Sequence, residues 1–401
     1  MATFLKLDTG TIGNFDAVLS DDVTVVATNP SKVLRRLANH RGWAGALRLW
    51  LQSKCAPDAS AYALVQGNVD RKRIRLPAVF GNRVVAAIYR HIKAGQAMLL
   101  HAALSDTIAT SNPEVVIVYN GSVYPESVLA EVSRERRRIF VEAGFFPNTL
   151  QIDPKGLNGA NSVPRDPAFY LDTGEDFAAD GLPNIVNNRA AKVAGTGAVM
   201  LEQGYVFVPF QVPSDMQVTQ HSPWIRDMEM FLDAVLEAAE RNPDDVFVIK
   251  EHPSFKRSVK GLRPDHPRVV FANDNVTSDL IKNARVVVTL NSTVGVEALL
   301  FDRPVITLGT ACYNIDGLVL HAEDARQLDA ALETSKSWTH NARLRAQFLG
   351  YLSHRYLMHG RYDDLPDDLA DQIVQRAGMG GKLSSLGFPA TPDAFQPKTS
   401  A

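Results

Sequence analysis

The stretch VFVIKEHPS, Val246–Ser254, reads as a strand that runs into a cation, an acid and an imidazole before Pro253 stops it. Apolar, β-branched and aromatic residues without polar interruption suit a strand buried on both faces, the usual strand of a parallel sheet. Proline withholds a ladder donor and ends the pairing. Lys250, Glu251 and His252 therefore arrive at the carboxyl edge of a sheet, where open α/β sheets bind their ligands.

Outward from this strand, the second half alternates strands and helices. Gly204–Gln211, Pro267–Ala272, Arg285–Leu290 and Pro304–Gly309 are predicted strands. Trp224–Ala239 is a predicted helix with Ile225, Met228, Leu232, Val235 and Ala239 on one face, followed by helices at Ser278–Asn283, Thr293–Phe301, Ala325–Thr334 and Ala342–Tyr356. In the first half, Val23–Thr28, Ala97–Ala102 and Glu114–Gly121 are predicted strands. Ser31–Asn39, Arg83–Ala94 and Pro125–Arg138 carry helical patterns. The polar region Asp153–Asn188 is long for a loop and is expected to be functional or partly helical. The alternation predicts an α/β fold with two sheets facing one another across a cleft.

The bulk composition narrows the function. A chain of 401 residues suits two domains. Its 45% hydrophobic and 21% charged residues are those of a globular protein, and a net charge of -2 gives no global attraction to nucleic acid. Cys55 and Cys312 lie far apart without metal spacing and are expected to be reduced in a cytoplasmic protein. No signal peptide and no run of spanning length is read, so work at a membrane would be peripheral.

Residues just past the strands carry the chemistry. In TLNSTVGVEALL, Thr289–Leu300, a strand ends in Asn291-Ser292-Thr293 and a helix begins at once. Ser292 is a plausible N-cap, and the helix start offers N–H groups and a positive dipole end to an anion. Gly295 would allow close approach of a ligand, and Glu297 could accept hydrogen bonds from a ribose diol. A capped strand–turn–helix without a ligand fits the same residues. In FQVPSDMQVTQHSPW, Phe210–Trp224, Gln211 ends a strand, and Asp215 stands in a loop where it either caps a helix or serves chemistry. Glu142 lies among Ile139, Phe140, Val141, Phe145 and Phe146, costly for a carboxylate unless it is paired or used. The basic cluster Ser133–Arg138 reads best as a solvated helix end.

In combined order and spacing, FVPFQVPSDMQV, HSP, VIKEHPS and NSTVGVEALL followed by RPVITLG resemble the capsule polysaccharide biosynthesis proteins, retaining β-Kdo transferases. The resemblance spans Arg138–Gly309. It implies a GT-B fold of two Rossmann-like domains with an interdomain active-site cleft: residues 1–190 on the acceptor side, 191–340 binding the nucleotide sugar, and 341–377 as helices packing back on the first domain. The Gly-, Ser- and Pro-rich composition of 378–401 predicts a disordered tail. The resemblance implies CMP-β-Kdo as donor, no metal, no cofactor, and a glycan or glycolipid acceptor at the cytoplasmic face of a membrane. By resemblance His252 and Pro253, with Lys250 beside them, hold the CMP phosphate. Gln211, Asn291, Ser292 and Thr293 complete the donor site, and Glu297 takes the ribose. Asp215 matches the proposed nucleophile, and Glu142 the acid of a Glu-x-Gly motif facing the sugar. The related inverting sialyltransferases carry a second acid where this chain has Ala143. Other readings are a CMP-sialic acid or UDP-sugar transferase, and a non-catalytic glycolipid-binding assembly protein.

Overall fold

In the computed structural model, which describes residues 2–19, 22–183, 186, 197–255 and 257–378, two six-stranded sheets organise the chain. The first draws on β1 (Phe4–Leu7), β2 (Val23–Val26), β3 (Val115–Tyr119), β4 (Arg138–Ala143) and β5 (Thr149–Asp153). The second holds β6 (Tyr205–Pro209), β7 (Phe247–Lys250), β8 (Val269–Phe271), β9 (Ala284–Thr289), β10 (Val305–Thr307) and β11 (Leu320–His321). A last strand, β12 (Met358–His359), returns to the first sheet and pairs antiparallel with β5.

The order of the second sheet is β11-β10-β9-β6-β7-β8, with every pairing parallel. From β6 the chain winds outward through β7 and β8, then restarts at β9 on the other side. The switch point therefore lies between the carboxyl ends of β6 and β9, where a crevice opens. The first sheet, β12-β5-β4-β3-β1-β2, has its own switch point between β1 and β3. These two Rossmann-like halves with a cleft between them are the GT-B arrangement. Both sheets are sandwiched by helices, so β3 and β6 are apolar along their length and buried.

Several expected elements change identity. Ala97–Ala102, expected as a strand, lies inside the helix Arg83–Ser111. Ala97, Met98, Leu99, Leu100, Ala103 and Leu104 are all buried and only His101 and Ala102 between them are part-exposed, so a short apolar run mimics a strand. The expected helix Pro125–Arg138 ends at Val132, and Arg138 already belongs to β4. β1 went unread because Lys6 interrupts it. That lysine is 1% exposed and pairs with Asp16 at 2.7 Å. The helix expected at Ser31–Asn39 runs through Pro30–Cys55, broken at Gly42, whose φ of 73° is left-handed.

The region after β5 is ordered where described. The buried Asp153 carboxylate accepts N–H groups from Lys155, Gly156 and Ser162 at 2.7, 3.1 and 2.8 Å, and a helix follows at Pro167–Leu171. Phe169, Tyr170 and Phe177 pack edge-on against Tyr351 of the helix Ala342–Tyr351. The helix Leu369–Arg376 docks on the first half, where Arg376 donates to the Ile152 carbonyl at 3.2 Å. The expected tail, apart from Gly378, and the expected boundary at 190 and 191 lie outside the described residues.

Candidate active site in the interdomain cleft

The switch point of the second sheet is closed by two amides. Gln211 donates to Asn291 Oδ1 at 3.0 Å, and the Asn291 N–H returns to Gln211 Oε1 at 3.3 Å. Asn291 Nδ2 also reaches the carbonyls of Gln217 and His221, at 2.8 and 3.2 Å. These bonds tie both strand ends to the loop that carries Asp215. Asp215 is exposed and caps the Met216–Thr219 turn through the Gln217 N–H at 3.0 Å. Capping occupies one carboxylate oxygen, so the two readings of this residue are compatible.

At the next strand end, Ser292 caps the helix Thr293–Leu300, its Oγ accepting the Val294 N–H at 3.2 Å. The Gly295 N–H bonds the Ser292 carbonyl at 2.9 Å. Part of the expected set of free N–H groups is therefore taken, and the helix presents its dipole with the hydroxyls of Ser292 and Thr293. Gly295 serves packing rather than ligand approach. A Cβ there would lie 2.6 and 2.7 Å from ring carbons of Tyr313, whose hydroxyl donates to the Ser292 carbonyl at 2.5 Å. Glu297 is 1% exposed and is not among the residues lining the cleft, unlike Ser292, Thr293 and Val294.

β7 ends on Lys250, and Glu251 and His252 follow it. Lys250 lines the cleft, and its Nζ donates to the carbonyls of Asn273 and Asn275 at 2.8 and 2.5 Å, while burial lowers its pKa. Glu251 holds the following loop, accepting from Ser258 Oγ and the Val259 N–H at 2.6 Å each and from Asn273 Nδ2 at 2.8 Å. His252 and Pro253 line the cleft. His252 Nδ1 accepts the Ser254 N–H at 3.2 Å. A backbone N–H can only donate, so this bond assigns the ring proton to Nε2 and leaves that nitrogen a donor.

The opposite wall comes from the first sheet. Glu142, near the end of β4, accepts from Asn120 Nδ2 at 3.0 Å and Asn158 Nδ2 at 3.1 Å. Burial, then the charge of Asp215, push its carboxyl up to about 7, against the pull of the two amides. Ala143 and Gly144 follow it at the cleft surface. A Cβ on Gly144 would meet Thr149 Cβ at 2.8 Å, so the tight return into β5 requires glycine.

A second pocket opens at the switch point of the first sheet and shares Glu142, Val212 and Asp215 with the first. It is lined by Thr9, Tyr119, Glu126, Arg71 and Arg75, among others. Glu126 is buried; its carboxylate accepts the Tyr119 N–H at 3.1 Å, and desolvation pushes it to about 7. From the helix Gln66–Arg75, Arg75 reaches across to Ser214 Oγ at 3.1 Å. Arg71 stands close enough to feel the charge of Asp215, though desolvation lowers its pKa overall. Sequence reasoning missed these arginines and the two asparagines that orient Glu142. The signal available was Asn120-Gly121 closing a strand, where Asn120 adopts a φ of 59°.

Chemically, one wall offers an imidazole N–H, two hydroxyls and a helix dipole, and the other a carboxyl poised near neutrality. An exposed carboxylate stands where the two pockets meet.

Residues 184–362 match the family described as capsule polysaccharide biosynthesis protein. Protein FixF of Sinorhizobium fredii is 54% identical over 374 residues, covering 93% of this chain and 92% of that protein. The capsule polysaccharide export protein KpsS of Escherichia coli is 30% identical over 129 residues, 29% of this chain and 33% of that protein. Among solved structures, the Thermosulfurimonas dismutans KpsC β-Kdo 2,7 transferase aligns with a TM-score of 0.44 at 18% identity, over 69% of this chain and 89% of that one.

Proposed function

The chain belongs to the capsule polysaccharide biosynthesis protein family, and on that premise we propose that it is a glycosyltransferase. In this reading it moves Kdo from CMP-β-Kdo to a lipid-linked glycan acceptor, with retention at the anomeric carbon. The observation that carries the reading is the placement of Asp215 between two pockets. One is lined by His252, Ser292 and Thr293, the other by Arg71, Arg75 and Glu126.

The donor occupies the first pocket, its phosphate against the helix start at Thr293 and the Nε2–H of His252. In the first step an Asp215 oxygen bonds to the anomeric carbon as the bond to CMP breaks. The electron pair passes to the phosphate oxygen, where hydroxyls, imidazole and dipole stabilise the growing charge. In the second step the acceptor hydroxyl attacks the same carbon on the face that CMP left, opposite the Asp215 bond, and Asp215 leaves as carboxylate. Two displacements give retention. Glu142, as carboxylate, takes the acceptor proton; a carboxyl held near 7 suits that transfer. Ala143 supplies no second acid at the motif, in keeping with a retaining course.

The test is incubation with CMP-Kdo, generated in situ, and a lipid glycoside acceptor, followed by mass spectrometry. Expected are a Kdo-bearing product and a sugar-modified Asp215 peptide. Asp215→Ala should abolish transfer while calorimetry still detects CMP binding. Transfer that survives Asp215→Ala, or a preference for UDP, overturns the proposal.

A further inference from the structure

Away from the cleft, two antiparallel helices leave an apolar stripe uncovered. Beyond the break at Gly42, the segment Trp43–Cys55 exposes Trp43, Leu47, Trp50 and Leu51, spaced for one helix face. The helix Arg83–Ser111 exposes Val84, Ile88 and Ile92 at the same spacing. Trp43 is 67% exposed, Val84 66% and Ile88 57%. The two stripes adjoin, because His91 reaches the Lys54 carbonyl at 2.8 Å. The short turn Pro77–Phe80 extends them with Leu76 and Val79, its Phe80 ring packed edge-on at 5.2 Å from Tyr89. A contiguous apolar surface of this kind is unusual on a chain that works alone in water.

Charge identifies what covers it. From Arg41 to Lys93, both included, the chain carries ten Lys and Arg residues and two acids, Asp58 and Asp70, against a net charge of -2; Arg71 and Arg75 face the second pocket and Arg41 pairs with Asp106. Arg48, Lys54, Arg73 and Arg83 are exposed around the stripe. A second copy meeting this face symmetrically would set those cations against themselves. An anionic lipid surface satisfies both features: it takes aromatic and aliphatic side chains at the headgroup boundary and neutralises the surrounding cations. Among the described residues, no helix is long and apolar enough to cross a membrane.

From the apolar stripe and its basic rim, we infer that this face docks on an anionic phospholipid bilayer, lying in the interface. Leu76 follows directly on Arg75, which lines the second pocket, so docking brings that pocket to the membrane surface. The inference deepens the lipid-linked reading of the acceptor, yet its test needs neither donor nor acceptor, so the two can fail separately.

The full chain is floated with vesicles of phosphatidylcholine alone or containing phosphatidylglycerol. Expected is binding to the anionic vesicles, a blue shift of tryptophan emission, and weakening with added salt. Trp43→Ser with Ile88→Ser should weaken binding roughly tenfold or more, and Arg48→Glu with Arg83→Glu should do the same while flattening the salt dependence. Both pairs of changes lie on the surface and should keep the wild-type melting temperature. Absence of binding to anionic vesicles, or equal binding by wild type and both variants, overturns the inference. So does a concentration-dependent dimer that Trp43→Ser with Ile88→Ser dissociates while vesicles are ignored.

Discussion

Glu142 and Asp215 come from different sheets and meet across the cleft, and the charge of Asp215 adds to burial in holding the Glu142 carboxyl at about 7. The pairing is electrostatic and therefore removable. In Asp215→Asn the like charge is gone, so the Glu142 midpoint should fall below its wild-type value, followed by carbon NMR of labelled glutamate. An unchanged midpoint would mean that burial alone sets it. Under the proposed mechanism, in which the Glu142 carboxylate accepts the acceptor proton, wild-type transfer should rise with pH around a midpoint near 7.

Glu126 predicts a pH-dependent stability. Its carboxyl is raised from the ordinary 4.5 to about 7 by desolvation. Between those values the native state keeps a proton that the unfolded chain has released, so stability falls as pH rises through the window. Glu126→Gln removes the ionisation and can still accept from the Tyr119 N–H. Urea denaturation at pH 8 should show the variant more stable by roughly 2–3 kcal/mol. The difference should shrink to nothing near pH 4.5; a variant less stable at pH 8 contradicts the argument.

Glu251 anchors the loop that positions His252 through three hydrogen bonds. Glu251→Ala should cost about 1–3 kcal/mol in stability and should weaken the CMP binding proposed for the cleft although His252 is intact. Hydrogen exchange should quicken in residues 252–259. Unaltered exchange there would show that the loop holds itself.

Gly295→Ala tests the packing role assigned to that glycine. The added methyl meets the Tyr313 ring and should destabilise by about 1–3 kcal/mol, measured by thermal unfolding. Tyr313→Phe should not rescue it, because the ring carbons at 2.6 and 2.7 Å remain. Tyr313→Leu in the Gly295→Ala background should recover part of the loss.

The strand VFVIKEHPS and the run TLNSTVGVEALL were legible because a buried parallel strand and a capped helix each leave a local pattern. β6, β7 and β8 lie within the predicted strands, β9 starts one residue before its predicted strand, and the helix at Thr293 begins where Ser292 announced it. The first half was harder to read. A charge buried in β1 and a helix largely buried at Ala97–Leu104 both weaken the rule that period reports environment. The exposed stripe from Trp43 to Ile92 inverts that rule, since its apolar residues face outward.

Local pattern in the chain determined two α/β halves, the turn after Lys250 and the cap at Ser292, because hydrogen-bond geometry and apolar period act between near neighbours. Only the tertiary structure decided that Lys250 and Glu251, which line the cleft beside His252, also hold the neighbouring loops through hydrogen bonds. It alone brought Arg75 to Ser214, 139 positions away, and Glu142 into the field of Asp215. Partners, burial and charge coupling are properties of distance in space, and a linear sequence does not record them.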